Sequence, residues 1–266
     1  MAVKVVGADL RGIDCYGNYH GSLTGSLVDE VIDRSPGSVY VGYDIETLEE
    51  ARTSAFVAGK TVVVTSSLTE AQSNILAAWP ADRALRVEKG GSINPSTAFT
   101  GLPYAELQWF GSGKTGFQLA INSLAAGGTM VVPYGTHIIE NTAAVSSSTA
   151  NISIRIDGDI VSTSILANVL EFTGYGVKVS GKGSITGPGT FLDTNSSDPA
   201  IQWLPSLIKL AGVNSECTGL TFIDHPTNAL WLAGNNGKAT GNWFYGDRSL
   251  TGQALFKCTY IQGCQV

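Results

Sequence analysis

The feature that most constrains this chain is a repeat near its C-terminal end. Gly219, Gly241 and Gly263 are equally spaced, 241 − 219 = 22 and 263 − 241 = 22. Their surroundings repeat too. Cys217-Thr218-Gly219-Leu220-Thr221-Phe222 matches Ala239-Thr240-Gly241-Asn242-Trp243-Phe244, and Leu207–Gly212 matches Ala229–Gly234 at the same offset. A fixed period of this order implies stacked structural units. The units are short alternating apolar runs broken by Gly and Asn, which read as strands. They leave no room for a crossover helix, so the expectation is a solenoid of β-coils. Such a solenoid offers a long rigid wall suited to extended ligands.

Composition agrees with a β-rich, turn-rich chain. Of 266 residues, 43% are apolar, enough for a sizeable core, while 14% are charged and 32 are Gly. The net charge is −6 with no Lys/Arg cluster, which argues against a nucleic-acid partner. The four cysteines, Cys15, Cys217, Cys258 and Cys264, form no Cys-x-x-Cys pair, so zinc-ribbon and redox readings fail. Cys217 falls on the coil ladder and is expected as a small buried filler. The N-terminus, Met1–Leu10, lacks a long apolar stretch and a cleavage site, so no signal peptide is expected. No window approaches the length of a membrane span, so no membrane insertion is expected either.

Along the chain, residues 1–43 read as a loop-rich β segment suited to assembly. A helix is expected over Asp44–Gly59, with Glu46, Glu49 and Glu50 at its positive end. Two stretches then mirror each other. Gly59–Val64 resembles Gly128–Val132, and Ala84–Gly90 resembles Ser153–Gly158, with offsets 132 − 64 = 68 and 156 − 87 = 69. Each half reads as an opening coil, with Leu85, Val87, Ile154 and Ile156 inward and Arg86 and Arg155 outward. Between them lies an amphipathic helix. Thr115–Gln118 reads as its capping box and Gly127-Gly128 as its stop. Its expected role is to cover the open end of the solenoid. The repeats Glu171–Gly174, Lys209–Gly212 and Trp231–Gly234 share an x-apolar-x-Gly pattern, and residues 187–205 read as an insertion out of one coil. By the 22-residue ladder, Val266 is expected where Phe222 and Phe244 stand, so the chain reads as cut within a coil.

Gly111 to Gly219 resembles the opening of a right-handed parallel β-helix of the pectin-lyase-like superfamily. The resemblance is carried by Gln118-x-x-Ile121, Ala126–Thr136 and Val179–Gly189, and continues through Ser206–Leu210 and Cys217–Pro226. The last stretch is similar to the polygalacturonase branch, whose Asn-Thr-Asp, paired-Asp and Gly-His-Gly motifs are absent here. Bacteriophage tailspikes and related virion appendages share this β-helix behind an N-terminal attachment domain. The resemblance implies a mainly β chain: a small mixed α/β virion-attachment region at 1–58, a leading β-coil or linker at 59–110, and a capping helix plus β-helix at 111–266. It implies a homotrimer in the virion, assembled in the host bacterial cytoplasm. Its N-terminal region would contact other tail or head proteins, and its β-helix a host surface polysaccharide. A depolymerase with catalytic residues beyond residue 266, and a purely structural spacer, are the alternatives. No cofactor is implied.

Asp224 and Asp247 fall near one corner of successive coils. Paired carboxylates can divide acid and base roles in glycoside cleavage, but Asp also favours turns for its own backbone hydrogen bonds, and that is the better reading. His225 precedes Pro226 and is expected in a surface turn. His20 and His137 are isolated and suggest no metal site. If Leu232 and Phe244 point inward, Trp231, Trp243 and Tyr245 point outward. Outward aromatics either stack on sugar rings or pack against a neighbouring subunit, and the trimeric habit of tailspike-like solenoids favours the subunit. Gly111-Ser112-Gly113-Lys114-Thr115 lacks the upstream Gly of a phosphate-binding loop, since Gln108 stands there. It reads as a turn and helix cap.

Overall fold

A computed structural model of the chain describes residues 2–6, 10–14, 19–22, 38–41, 61–64, 67–77, 85–87, 92–140, 143–163, 167–188, 206–225, 228–245 and 259–261. Two compact units emerge. One comprises residues 1–102 and 109–111, the other residues 103–108 and 112–266. The helix expected over Asp44–Gly59, and Asp247, lie outside the described residues, while His20 falls on the strand Tyr19–Ser22.

In the first unit, strands β1 (Ala2–Val6), β2 (Leu10–Asp14) and β3 (Tyr19–Ser22) form an antiparallel sheet. Strands β4 (Ser38–Val41), β5 (Thr61–Val64) and β6 (Leu85–Val87) form a parallel one. Val64 pairs with Val87, while in the second unit Val132 pairs with Ile156. The mirrored offsets in the sequence therefore correspond to equivalent strand pairings. Helix α1 (Glu70–Ala77) follows β5 and was not anticipated. Its Ser73 is fully buried, donates to Thr69 O and accepts from Asn94 N–H. Phe99 and Phe110 pack edge to face, with ring centroids 5.7 Å apart.

The second unit is a parallel β-helix of five coils. Its first face holds β8 (Leu124–Val132), β11 (Ser153–Ile156), β14 (Lys178–Gly181), β17 (Glu216–Thr218) and β20 (Lys238–Thr240), with β7 (Leu102–Glu106) beside β8. The second face holds β9 (Thr136–Ile139), β12 (Asp159–Ser162), β15 (Ser184–Thr186), β18 (Thr221–Ile223) and β21 (Trp243–Tyr245). The third holds β10 (Val145–Ser147), β13 (Leu170–Phe172), β16 (Ser206–Leu210), β19 (Asn228–Leu232) and β22 (Thr259–Ile261). Coil-to-coil pairing within the three faces is parallel and in register.

In-register pairing stacks like on like. Alternation along each strand sends every second side chain inward, so the core is a set of columns. Met130, Ile154, Val179 and Cys217 form one, and Ile160, Ile185 and Phe222 another, each residue at most 1% exposed. Phe244 continues the second column and stacks on Phe222 with centroids 5.1 Å apart and planes 8° from parallel. Cys217 is the expected buried filler, and burial pushes its thiol pKa up to about 12.

Helix α2 (Gly113–Asn122) packs against the first coil, with Phe117, Ala120 and Ile121 buried. Its expected covering role takes an unanticipated form. Gln118 Nε2 donates to Ser146 O at 2.8 Å, and Gln118 Oε1 accepts from Ser146 N–H at 3.0 Å. The side-chain amide thus imitates a peptide group and pairs with the third face where a preceding strand would lie. For the same reason the expected capping box does not form. The helix begins at Gly113 after an extended Ser112 whose side chain makes no capping bond. Nor do Gly127 and Gly128 stop the helix; they lie within β8.

The last strand corrects the ladder. Ile261 pairs with Leu232, an offset of 261 − 232 = 29. The 22-residue spacing joins Gly219 to Gly241 but does not carry on through β22 to Gly263, and Gly263 and Val266 lie outside the described residues.

Candidate functional site

The coils turn three corners, and the second varies most in length. The first, between the first and second faces, uses two residues in coils two to five: Asp157-Gly158, Lys182-Gly183, Gly219-Leu220 and Gly241-Asn242. The third, leading back to the first face, uses five residues each time, at 148–152, 173–177, 211–215 and 233–237. The second corner runs from four residues (224–227) to 19 (187–205), with 13 at 246–258. The expected insertion at 187–205 therefore falls at the corner that opens onto the third face.

The outward column of that third face is Ser146, Glu171, Lys209 and Trp231, paired strand to strand. Lys209 Nζ lies 2.9 Å from Glu171 Oε1 and 4.5 Å from the centre of the Trp231 ring. Asn168 Nδ2 donates to Glu171 Oε2 at 2.8 Å. Burial alone would raise the Glu171 pKa; the hydrogen bonds from Lys209 and Asn168 outweigh it and hold the carboxyl below its ordinary value. Glu171 is therefore a fixed anion, with both oxygens engaged.

Beside this column lies a groove of about 670 Å³, lined by Gln118, Asn122, Ala143, Ala144, residues 146–149, Glu171 and Thr173. Helix α2 forms one wall, with Gln118 Nε2 also donating to Asn122 Oδ1 at 2.8 Å. Apart from Ala143 and Ala144, the lining side chains are hydroxyl and amide with one carboxylate. Such a surface exchanges hydrogen bonds with a polyol without burying net charge.

The aromatic candidates separate. Trp231 stands on the third face, half-buried under Lys209. Trp243 and Tyr245 stand on the second face, 64% and 56% exposed. They head outward columns that read Thr136, Asp159, Ser184, Thr221, Trp243 and Ile138, Val161, Thr186, Ile223, Tyr245. Asp224 takes φ 47° at the second corner, as a turn residue does, and donates its N–H to Tyr245 O at 3.0 Å. His225 is not in a surface turn: it is 9% exposed and tucks beneath the same corner. His137 is half-buried at the capped end, edge-on to Phe117, with Nε2 2.8 Å from Pro133 O. Among the described residues no cluster of three His, Cys, Asp or Glu is placed to hold a metal ion, and no helix is long and apolar enough to cross a membrane.

Sequence reasoning missed the groove, because Gln118 and Ser146 are 28 residues apart and nothing in either neighbourhood marks the pairing. It also missed the third corner's left-handed column: Asn151, Gly176, Asn214 and Asn236, with φ of 58°, 66°, 60° and 57°. Tyr175 Oη accepts from Asn214 Nδ2 at 2.8 Å, and Asn214 Oδ1 accepts from Asn236 Nδ2 at 3.1 Å. The recurring Gly174, Gly212 and Gly234 that open this corner were the visible signal. Comparison of the chain with protein-family models, with curated proteins and with solved structures found no match.

Proposed function

We propose that this chain belongs to a virion appendage of the tailspike or tail-fibre type. Residues 1–58 attach it to other tail or head proteins of the particle. The β-helix presents a surface that recognises a host glycan, and the appendage assembles as a homotrimer in the host bacterial cytoplasm. The observation that carries this reading is the polar groove on the third face, continuous with the Glu171–Lys209–Trp231 column. It runs across successive coils, which succeed one another every ~4.8 Å, so its long dimension suits a chain-like ligand. Hydroxyl and amide groups meet sugar hydroxyls, and Trp231 gives an aromatic surface at the far end. The second corner adds length where recognition would need it.

Binding is favoured over cleavage by the groove's single carboxylate. Glycoside hydrolysis by the usual route needs two, some 5–10 Å apart, and Glu171 is already committed to Lys209 and Asn168. The depolymerase reading therefore depends on residues beyond 266.

The test is binding of the purified chain to a panel of bacterial capsular and O-antigen polysaccharides by calorimetry. One or more should bind without loss of chain length in the polysaccharide. Trp231→Ala should weaken that binding about tenfold, and Thr173→Trp, which fills the groove, should abolish it. A chain that binds none of the panel, or binds equally well as Thr173→Trp, would leave the spacer as the better description. Sedimentation of the chain as a monomer at micromolar concentration would count against the trimer.

A further inference from the structure

The hydrogen bonds along the groove give it a fixed polarity. Gln118 and Asn122 lie one turn apart on α2 and both line it. A side-chain amide can be turned either way, so its orientation is set by what it meets. Here the first contact is a backbone group, whose polarity is fixed. The Ser146 N–H donates to Gln118 Oε1 at 3.0 Å, which leaves Gln118 Nε2 to serve the remaining partners. Its two N–H groups go to Ser146 O and Asn122 Oδ1, both at 2.8 Å. Asn122 therefore turns its oxygen to Gln118 and its nitrogen away. Among the described residues Asn122 Nδ2 meets no acceptor. One backbone N–H thus orients two side-chain amides in series and leaves a fixed NH2 donor at the groove.

The rest of the lining narrows what that donor is for. Ala143 and Ala144 are its two wholly apolar side chains. Ser147 Oγ accepts from Thr149 N–H at 3.1 Å, while the hydroxyls of Ser148, Thr149 and Thr173 make no side-chain bond among the described residues. The charges around the groove cancel. The charged residues of the elements that form it and of adjoining β16 are Lys114 on α2, Glu140 just after β9, and the paired Glu171 and Lys209. Their formal sum at neutral pH is 2 − 2 = 0. Among the described residues no cationic side chain lines the groove to hold a carboxylate or phosphate.

Resting on the reading of this groove as the glycan site, we infer that it selects a neutral sugar that carries an acetamido group. The acetamido carbonyl accepts from Asn122 Nδ2, its methyl rests against Ala143 and Ala144, and its N–H donates to one of the free hydroxyls. A plain hexose sets a hydroxyl in that place. It can accept from Asn122, but it leaves a polar group against two alanines and their methyls without an apolar partner. An anionic sugar finds no cation to replace its lost hydration. A free amino sugar is a donor only, and meets the fixed NH2 of Asn122 like to like.

The test uses the full chain and neutral bacterial capsular and O-antigen polysaccharides, with and without acetamido sugars. Calorimetry should find binders only among those with acetamido sugars. Removing the acetyl groups with hydrazine should abolish binding, and re-acetylating the amines should restore it. In saturation-transfer NMR the acetyl methyl protons should take up more saturation than the ring protons. Asn122→Asp keeps an oxygen for Gln118 Nε2 but removes the donor, and should weaken binding tenfold or more. Lys182→Ala, at the first corner, should leave it within twofold. Circular dichroism of both variants should match the parent, since both residues are exposed. The inference is overturned, with the groove still the glycan site, if acetamido-free polymers bind as tightly and Thr173→Trp abolishes that binding. It is also overturned if Asn122→Asp binds as the parent does. If no polysaccharide binds, this inference and the glycan reading of the groove fall together.

Discussion

The third corner of the β-helix is alike from coil to coil and the first differs by a single residue, whereas the second ranges widely. At the third corner, Gly174, Gly212 and Gly234 stack so closely that a Cβ on Gly212 would stand 1.7 Å from Gly174 O, and one on Gly234 2.1 Å from Gly212 O. At the first, Asn242 clamps the last two coils together, its Oδ1 accepting from Leu220 N–H at 3.0 Å and its Nδ2 donating to Cys217 O at 2.9 Å. These close stacks and side-chain bonds set the rise from one coil to the next. The second corner spans from four to 19 residues between strands that still pair in register, so its length varies without disturbing the core. The contrast separates what holds the fold from what is free to meet a ligand: near-constant length at the first and third corners, wide variation at the second.

The largest test of this contrast is in the columns. Phe222→Ala removes a fully buried ring stacked on Phe244, and should cost about 3–5 kcal/mol by chemical denaturation. A cost below about 1 kcal/mol would mean that the column is not the core. Next is Gly212→Ala, which forces a methyl against the backbone of the preceding coil and should cost about 3 kcal/mol. Asn214→Ala should cost about 1–2 kcal/mol, because Ala resists the φ of 60° that Asn tolerates; Asn214→Gly should recover part of it. By contrast, cutting the 19-residue second corner at 187–205 to five residues should change stability by only about 1 kcal/mol, the loop-closure difference. A large loss on that deletion would erase the distinction between corners.

Much of this was legible because in-register coils repeat their chemistry. The x-apolar-x-Gly runs ending at Gly174, Gly212 and Gly234 mark successive passes through one corner, and the 22-residue match from Cys217 to Phe244 marks one full lap. The insertion was visible as a cluster of Pro, Asp and Asn. What escaped depends on distance. Gln118 reaches Ser146 across most of a coil, so its amide looked like half of a capping box. Trp231 and Trp243 are 12 apart in sequence, yet the third corner, β20 and the first corner lie between them and place them on different faces, and no local pattern says which. The Asn column at the third corner is obscured because Gly176 interrupts it and the long excursion puts 214 − 176 = 38 residues between two of its members.

The smallest effect concerns Glu171. Its folded pKa lies below its ordinary value, so it contributes stability above the unfolded carboxyl range, and that contribution fades as pH falls through the folded pKa. The thermal midpoint should drop between pH 6 and pH 3 slightly more in the parent than in Glu171→Gln, a difference worth under about 1 kcal/mol for a partly exposed pair. Equal slopes would mean that the Lys209 pairing adds nothing to the frame.

The winding itself is open to one direct measurement. Ala239 pairs with Cys217 one lap earlier, and neighbouring parallel strands lie ~4.8 Å apart. In a chain with Cys15, Cys258 and Cys264 changed to Ser, Ala239→Cys should be joined to Cys217 by a short thiol–thiol crosslinker in the folded state and not in denaturant. Peptide mapping that finds the 217–239 link supports five stacked coils. Two thiols that remain unlinked in the native protein, each reacting alone, would contradict them.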